Sequence, residues 1–466
     1  MCRHDRIVLT TGDPLAATSG TPVWLDGPDR PDPRPALDGD FRSDLVVVGG
    51  GYTGLWTALL AKEADPSRTV ILLEAETLAW AASGRNGGFC EASLTHGPAN
   101  GLSRFPDEFE ELERLGRRNL HELQDAVDRY GIDCELEPSG QLNVATEPYQ
   151  VADLRAEAQR GGGRFLDRDE VRAEVASPTY LAGLWSPDTV MIHPAKLAWG
   201  LADAAESLGV QVHEHSRVAG LRRRGDVIEV STRAGSVCAR RVALGTNAFP
   251  SLVRRVRPFV VPVYDYALAT EPLTSEQLAS IGWRNRQGIG DSANQFHYYR
   301  LTADNRIVFG GYDAIYHFRR GLRPSLDQRR ATFELLSAHF FQTFPQLDGL
   351  RFTHAWGGAI DLCSRFCAFS GTSHGGRVAY TAGYTGLGVG ASRFGAAVML
   401  DLLAGAETER TRTGLVETMP IPFPPEPFTW LGVTATRAAL KAADRNQGRR
   451  NLWLRTLDRL GLGFDS

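Results

Sequence analysis

The sequence predicts an α/β fold joined to a second, α+β part, and three observations support this prediction. Four apolar residues follow Asp44, as in a strand buried on both faces, and a helical pattern begins at Leu55 after a glycine-rich turn. Residues 258–312 contain three strand-like runs, with Asp304 and Asn305 supplying turn chemistry between the last two. The 466 residues exceed the ~250–300 that one core usually supports, so we expect two interleaved parts.

The glycine-rich turn has the spacing of a dinucleotide-binding loop. In Gly49-x-Gly51-x-x-Gly54, the first glycine permits a tight turn, the second lets the backbone approach a pyrophosphate, and the third lets the helix lie close to the strand. The N–H groups at the helix N-terminus, around Tyr52 and Thr53, would then face the phosphates. Because a glycine-rich loop can also connect the strand and helix of a βα unit that binds no nucleotide, the elements around this loop determine whether it is a dinucleotide site.

The second apolar strand, residues 69–73, ends at an acidic residue. Glu74 lies twenty residues after Gly54, where an acid accepts hydrogen bonds from ribose hydroxyls, and Ala75 follows it. An acid at this position favours an adenosine ribose without a 2′-phosphate. Strand, turn, helix and acid together predict a dinucleotide site, for which NAD and FAD are the two candidates.

The segment at residues 82–88 favours FAD. NAD dehydrogenases usually continue from the second strand into another crossover, whereas small residues and glycines here could let a second backbone segment pass along a cofactor. With this segment the sequence resembles the flavin amine and amino-acid oxidases typified by D-amino-acid, glycine and sarcosine oxidases, and most closely the γ-glutamylputrescine oxidase branch. The resemblance implies that the segment lies against the flavin, with contacts from Ala82, Ser83, Arg85, Asn86, Gly87 and Gly88.

The same resemblance implies a domain organisation and a cofactor. It implies a glutathione-reductase-like Rossmann FAD-binding domain interleaved with an antiparallel-sheet substrate domain, with FAD bound non-covalently. The expected ranges are an extended N-terminal arm (1–43), the FAD-binding domain (44–97, 181–250 and 352–419), the substrate domain (98–180 and 251–351) and a C-terminal tail (420–466).

Further FAD contacts follow from the resemblance in the second half of the chain. One residue stands where the family's backbone contacts the adenine, and the end of a later strand passes near the adenosine. After a tryptophan, a strand, a glycine loop and a helix would aim the helix N-terminus at the flavin N1–C2=O2 edge, stabilising negative charge there. The residues implied are Val218, Thr246, Asn247, Trp356, Gly383, Thr385, Gly386, Leu387 and Gly388.

Two strands of the central region carry candidate substrate-binding side chains. Strand alternation puts Tyr264 and Asp265 on opposite faces, and it separates Tyr298 and Arg300 from Tyr299. Arg300 stands where glycine-oxidase-like relatives have an arginine that binds a substrate carboxylate, although a surface or inter-domain salt bridge is an equal alternative. We therefore predict Arg300, Tyr264, Asp265 and Tyr298 as the catalytic or substrate-binding residues.

The resemblance implies oxidation of a C–N bond. A hydride would pass from the carbon that bears a primary or secondary amine, or from an amino acid, to flavin N5, and the imine would hydrolyse in water. Sarcosine oxidases use a lysine above the flavin to react with oxygen, and this chain has no lysine between Lys196 and Lys441. Oxygen and another electron acceptor therefore both remain open. The alternatives are a flavin-dependent hydroxylase and a non-catalytic, FAD-stabilised subunit of a larger complex.

Charge and composition disfavour several other classes of protein. A net charge of −4, with arginines spread along the chain, provides no basic surface for nucleic acid. No apolar run reaches the ~18–20 residues that cross a bilayer, and no signal sequence is evident, so we expect a soluble cytoplasmic protein without a membrane partner. The basic stretch from Arg437 to Arg459 is expected to dock on the body. The six scattered cysteines predict no metal site.

Overall fold

Two large sheets and the helices around them form most of the described chain. The computed structural model describes residues 12–463. Its strands are β1 Gly39–Val48, β2 Val70–Leu73, β3 Phe89–Glu91, β4 Gln141–Ala145, β5 Arg164–Leu166, β6 Ala182–Ser186, β7 Thr189–Met191, β8 Gln211–His213, β9 Gly220–Arg224, β10 Val227–Ser231, β11 Gly235–Leu244, β12 Val261–Thr270, β13 Gly288–Asp291, β14 His297–Leu301, β15 Ile307–Gly311, β16 Ile315–Tyr316, β17 Phe352–Leu362, β18 Phe369–Ser373 and β19 Val378–Ala382. Its helices are α1 Tyr52–Ala64, α2 Pro98–Arg104, α3 Phe109–Tyr130, α4 Gln150–Gln159, α5 Arg168–Glu174, α6 Pro194–Ser207, α7 Ser275–Ile281, α8 Arg330–Thr343, α9 Gly388–Ala404, α10 Gly414–Glu417, α11 Phe428–Arg445 and α12 Leu452–Arg459.

The first sheet contains the strand and helix predicted around the glycine loop. Strands β19, β11, β1, β2 and β8 lie side by side and parallel, with β18 antiparallel at one edge. Strand β10 pairs antiparallel with β11, and β9 pairs antiparallel with β10. Val47 packs in an apolar cluster with Trp56 of α1, and Val46 packs in another cluster with Val230 of β10. Both faces of β1 are therefore covered, as its unbroken apolar run predicted.

The second sheet is mainly antiparallel. Its strand order is β16-β12-β15-β14-β13-β4-β6-β5, with β17 also paired to β12, and only β13 and β4 run parallel. One face packs in an apolar cluster with helix α8, in which Tyr264 and Tyr299 lie together with Phe340. The parallel and antiparallel sheets together confirm the predicted fold class.

Two strands lie in a different sheet from the one that the sequence analysis assigned. Strand β17 was placed in the FAD-binding domain, yet it pairs with β12 from Val261 opposite Leu362 to Ala269 opposite His354. Strand β6, placed in the same domain, pairs with β4 and β5 of the second sheet. The order of elements along the chain does not show where the backbone crosses between sheets, because both sheets use similar apolar strands.

The tail after residue 419 is attached to the second sheet through polar contacts. The Asp444 carboxylate on α11 accepts hydrogen bonds from the backbone N–H of Asn294 at 2.9 Å and of Gln295 at 3.0 Å. Helix α12 packs on α11 through Leu454, Ala439 and Ala443. In the part of the chain that the structure describes, no helix is long and apolar enough to span a bilayer.

Candidate active site

Both sheets and the tail border one cavity of about 1570 Å³. The C-terminal ends of β1 and β2 lie on one side of it, and β12 and β14 of the second sheet lie on the other. Most predicted site residues line this cavity. They are Gly49, Gly51, Tyr52, Thr53, Glu74, Ala75, Ala82, Ser83, Arg85, Asn86, Gly87, Val218, Thr246, Asn247, Asp265, Tyr298, Trp356, Thr385, Gly386, Leu387 and Gly388.

The turn at residues 49–54, which we call the glycine cradle, places the N-terminus of α1 at the cavity. Gly51 is the N-cap residue of α1, with an extended backbone and no side-chain cap. A Cβ at Gly51 would lie 2.9 Å from Ser83 Oγ, and a Cβ at Gly54 would collide with the carbonyl oxygen of Gly49. Gly54 does not line the cavity but lets α1 begin against the turn. The Tyr52 N–H donates to Ser83 Oγ at 3.0 Å, and the N–H groups that follow it at this helix N-terminus fit a pyrophosphate.

Glu74 lies at the cavity wall beside the glycine cradle. Its carboxylate accepts hydrogen bonds from the backbone N–H of Gly50 at 2.6 Å and of Glu76 at 2.9 Å. Burial raises the pKa of Glu74, and these N–H groups partly oppose the rise. A carboxylate has about four acceptor sites, so Glu74 retains capacity for the hydroxyls of a ribose.

The segment at residues 82–88 is held in place from two sides. The indole N–H of Trp24 donates to the Asn86 carbonyl at 2.8 Å, and that of Trp356 donates to the Arg85 carbonyl at 2.9 Å. The Arg85 guanidinium forms an ion pair with Asp327 at 2.6 Å. Arg85 thus anchors this segment to the chain just before α8, although it also lines the cavity.

The two glycines that end this segment allow the second sheet to approach. A Cβ at Gly87 would lie 2.7 Å from the Tyr298 ring, so the substrate-side wall packs directly on the segment. Gly88 has a φ of +79° and contacts the Ile192 carbonyl closely, which leaves no room for a Cβ. Gly88 does not line the cavity, and its contribution is to the shape of the segment.

A second helix N-terminus, that of α9, faces the cavity after residues 383–387. The Asp361 carboxylate accepts a hydrogen bond from the Gly383 N–H at 2.7 Å, and burial raises the pKa of Asp361 to about 6. Thr385 and Gly386 have positive φ angles of 55° and 100°, which turn the chain into the helix. No side chain caps the helix, whose N-cap residue is Leu387, so its positive end can face an anionic group.

Asp265 and Tyr298, which we call the substrate wall, face the cavity from β12 and β14. The Tyr298 hydroxyl donates to Asp265 Oδ2 at 2.6 Å. Burial raises the pKa of Asp265 to about 6, although the Tyr298 hydrogen bond lowers it. The Phe89 ring lies edge-on to the Tyr298 ring at 5.9 Å and extends the wall towards β3.

The structure places Arg300 and Tyr264, which the sequence predicted to bind substrate, outside the set of residues that line the cavity. Arg300 is 1% exposed, and its guanidinium donates to the carbonyls of Ile192 at 2.6 Å and Leu301 at 3.0 Å. Burial lowers its pKa to about 10. The side chain shares the face of Tyr298, but the segment at residues 82–88 and Trp24 cover it, which strand alternation could not reveal.

Tyr264 lies on the opposite face of β12 from Asp265, as alternation predicted. Its ring packs against Tyr266 at 6.3 Å, and its hydroxyl accepts a hydrogen bond from the Arg323 N–H at 3.3 Å. This position places Tyr264 in the core beneath the sheet and outside the cavity.

Sequence reasoning missed several polar residues of the cavity. Glu91 lies on β3 two residues after Phe89, so both side chains leave the strand on the cavity side, and burial raises the pKa of Glu91 to about 7. Gln295 lies near the tail, and its buried Oε1 has no hydrogen-bond partner among the described residues. The alternation of Phe89, Cys90 and Glu91 after the glycines was the signal that could have identified Glu91.

Comparisons with known proteins agree with this geometry. A family model described as DAO, FAD-dependent oxidoreductase, matches residues 44–402. Gamma-glutamylputrescine oxidoreductase of Escherichia coli is 33% identical over 395 residues, covering 80% of this chain and 86% of the relative. Sarcosine oxidase subunit beta of Rhizobium meliloti is 27% identical, covering 75% of this chain and 80% of the relative. The glycine oxidase structure from Geobacillus kaustophilus aligns with a TM-score of 0.66 at 21% identity, covering 79% of this chain and 96% of that chain.

The family match extends over most of the chain, from Asp44 within β1 to Leu402 in the last turn of α9. It confirms the resemblance seen in the sequence. The N-termini of α1 and α9 at the cavity and the carboxylate of Glu74 are also the kinds of group that bind a flavin dinucleotide. The chain belongs to the DAO family of FAD-dependent oxidoreductases, and FAD is its cofactor.

Proposed function

We propose that this protein oxidises the C–N bond of a primary or secondary amine. The observation that carries the proposal is the substrate wall: a buried carboxylate, Asp265, on the cavity side of the second sheet and oriented by Tyr298. When bound, FAD supplies the hydride acceptor for the carbon that bears the amine. The gamma-glutamylputrescine and sarcosine oxidoreductases among the relatives support the amine class.

Asp265 is suited to a substrate cation because no arginine or lysine among the described residues forms an ion pair with it. The groups that lower its pKa most are the Tyr298 hydroxyl, the backbone N–H groups of Tyr266 and Gly311, and His297, and none is an arginine or lysine. A buried carboxylate gains from a cation, since charge-assisted hydrogen bonds are roughly twice as strong as neutral ones. We infer that Asp265 binds the substrate as an ammonium ion and accepts its proton, because the nitrogen must be neutral before the carbon that bears it can lose a hydride.

Tyr298 and Phe89 would position the rest of the substrate. The Tyr298 hydroxyl donates to Asp265 Oδ2 and so fixes the plane of the carboxylate. The carboxylate can then accept a hydrogen bond from the substrate N–H in one defined direction. The two rings cover this corner of the cavity and limit water near the carboxylate. Because Arg300 is covered and is not available to bind a substrate carboxylate, the proposed substrate needs no carboxylate group.

The test is the variant Asp265→Asn, with anaerobic bleaching of the bound flavin followed for a panel of amines and amino acids. Loss of the charge should weaken amine binding by about 1.5–3 kcal/mol, a factor of roughly 10 to 100. The matched control is Tyr264→Phe, a neighbouring change on the opposite face of β12 that should leave the bleaching rates unaltered.

Unchanged amine binding in Asp265→Asn, at normal FAD content, would reject the role of Asp265. If wild-type protein with bound FAD is bleached by no member of the panel, the alternative of a non-catalytic, FAD-stabilised subunit gains support. Rapid reduction of the flavin by NADPH would instead favour the hydroxylase alternative.

A further inference from the structure

The exposed apolar side chains of the described residues are concentrated in the tail. Elsewhere among the described residues, large apolar side chains are exposed at Phe41, Leu102 and Phe318, and at Met419 directly before the tail. A cluster of such side chains on a protein surface marks an interaction site more often than scattered ones do. The exposed residues in and directly before the tail, which we call the tail apolar surface, are Met419, Ile421, Phe428, Trp430, Leu431, Leu452, Trp453 and Leu460.

Contacts between the elements bring members of this surface together. On α11, exposed apolar positions recur at Phe428, Leu431, Ala435 and Ala438, which is the spacing of one helix face. The indole N–H of Trp453 on α12 donates to the Thr436 hydroxyl on α11 at 3.0 Å. The two helices therefore present their exposed aromatic and leucine side chains next to each other.

The tail apolar surface lies in a basic setting. Residues 428–460 contain seven basic and two acidic side chains, a net charge of +5, whereas the whole chain has a net charge of −4. Arg449, Arg455 and Arg459 are exposed. Exposed Trp, Phe and Leu side chains with basic residues beside them are the composition of helices that lie in the interface of an anionic membrane.

The same surface surrounds the outer end of the cavity. Phe428, Leu431 and Trp453 are exposed to solvent and also line the cavity that contains the substrate wall. A partner that covers the tail apolar surface would therefore lie at the entrance to the cavity. The sequence analysis expected the tail to dock on the body, with no membrane partner. The tail does contact the body through Asp444, but its apolar spacing could not show which side chains stay exposed.

We propose that the tail apolar surface docks on an anionic lipid membrane, with the entrance of the cavity towards the lipid. A second copy of this chain is less well matched, because a symmetric contact would bring the exposed Arg449, Arg455 and Arg459 of two copies together. An anionic bilayer offers both an apolar layer for the aromatic side chains and negative charge for the arginines. It also needs no spanning helix, consistent with the helices described.

The experiment is co-sedimentation of the full-length, FAD-loaded protein with vesicles. One set contains phosphatidylcholine alone and the other contains phosphatidylcholine with phosphatidylglycerol. We expect binding to the anionic vesicles, and weaker binding at high salt because the lipid charge is screened. The variant Trp430→Ser/Leu452→Ser/Leu460→Ser should lower the partition coefficient at least about tenfold, and Arg449→Gln/Arg455→Gln/Arg459→Gln on the order of 100-fold.

The matched control is Phe41→Ser/Leu102→Ser, which removes exposed apolar side chains outside the tail. It should bind the anionic vesicles as wild type does. FAD content and thermal unfolding establish that each variant is folded. Wild-type protein that stays in the supernatant with both vesicle types overturns the proposal, as does equal binding by all variants. A dimer in light scattering that the tail variants dissociate, without vesicle binding, would assign the surface to a second copy and also overturns it.

Discussion

The glycine cradle and the substrate wall line the same cavity but are built in different ways. The cradle is built from backbone. A Cβ at Gly54 would collide with the Gly49 carbonyl oxygen, and a Cβ at Gly51 would crowd the Ser83 hydroxyl. Gly51, Tyr52 and Thr53 line the cavity at the start of α1. The wall works through side chains, since Asp265 and Tyr298 depend on each other for orientation. We therefore expect a side chain added to the cradle to disrupt folding and FAD binding. Changes of charge or hydrogen bonding in the wall should instead change amine binding in graded steps.

The largest effect is expected for Gly54→Val in the glycine cradle. Its Cβ would collide with the Gly49 carbonyl oxygen, and backbone atoms must shift to accommodate it. We expect a loss of at least about 3 kcal/mol in the free energy of unfolding and little bound FAD. Thermal unfolding and the flavin absorbance measure these quantities. Gly27→Val is the matched control, because nothing lies within 4 Å of its Cβ, and a yellow, equally stable Gly54→Val protein would contradict the prediction.

The substrate wall should make amine binding depend on pH. Burial raises the pKa of Asp265 to about 6, so the carboxylate that attracts an ammonium group is present above pH 6 and is lost as the pH falls below it. The dissociation constant of tert-butylamine, which has no hydrogen on the carbon next to nitrogen, should rise roughly tenfold per pH unit below 6. Perturbation of the flavin absorbance reports binding. Asp265→Asn should bind weakly with a flat profile, and a falling profile in that variant would refute the assignment.

A smaller effect is expected for Tyr298→Phe, which removes the hydroxyl that donates to Asp265 at 2.6 Å. Amine affinity should fall by about 1 kcal/mol, or roughly fivefold, because the carboxylate loses its fixed orientation. The pKa of Asp265 should also rise further, since this hydrogen bond lowers it, and the midpoint of the binding profile should move to higher pH. Tyr264→Phe, across the sheet, should change neither quantity; equal shifts in both variants would indicate a general structural effect.

The smallest effect on binding is expected for Arg300→Met. The guanidinium donates to the Ile192 carbonyl beneath Gly88, so its removal should lower the free energy of unfolding by about 1–3 kcal/mol. The ratio of affinities for an amino acid and for the matching plain amine should change less than about twofold, since Arg300 does not reach the cavity. A selective loss of amino-acid binding would restore the carboxylate-binding role that the sequence predicted.

Much of the cofactor side could be predicted from the sequence because it depends on local rules. A buried strand, three glycines at fixed spacing and an acid twenty residues later require one backbone path, and Gly49, Gly51 and Glu74 all line the cavity. The segment at residues 82–88 was recognisable for the same reason, since its glycines permit a close approach that other residues forbid.

The substrate side was only partly predictable. Strand alternation correctly placed Asp265 and Tyr264 on opposite faces, because a period of two is a property of the strand itself. It could not show which face would meet the cavity, nor that Trp24 and Gly88 would cover Arg300. Those contacts join segments more than a hundred residues apart.

By itself, the sequence determined the dinucleotide-binding unit, the family and the pairs of opposite side chains on the central strands. Local backbone geometry and side-chain periodicity decide these features, and both can be read from neighbouring residues. Tertiary structure alone decided that β17 joins the second sheet, that Arg300 is covered and that the tail leaves its apolar side chains exposed. Burial depends on what packs against a residue from distant parts of the chain, and no local pattern specifies that partner.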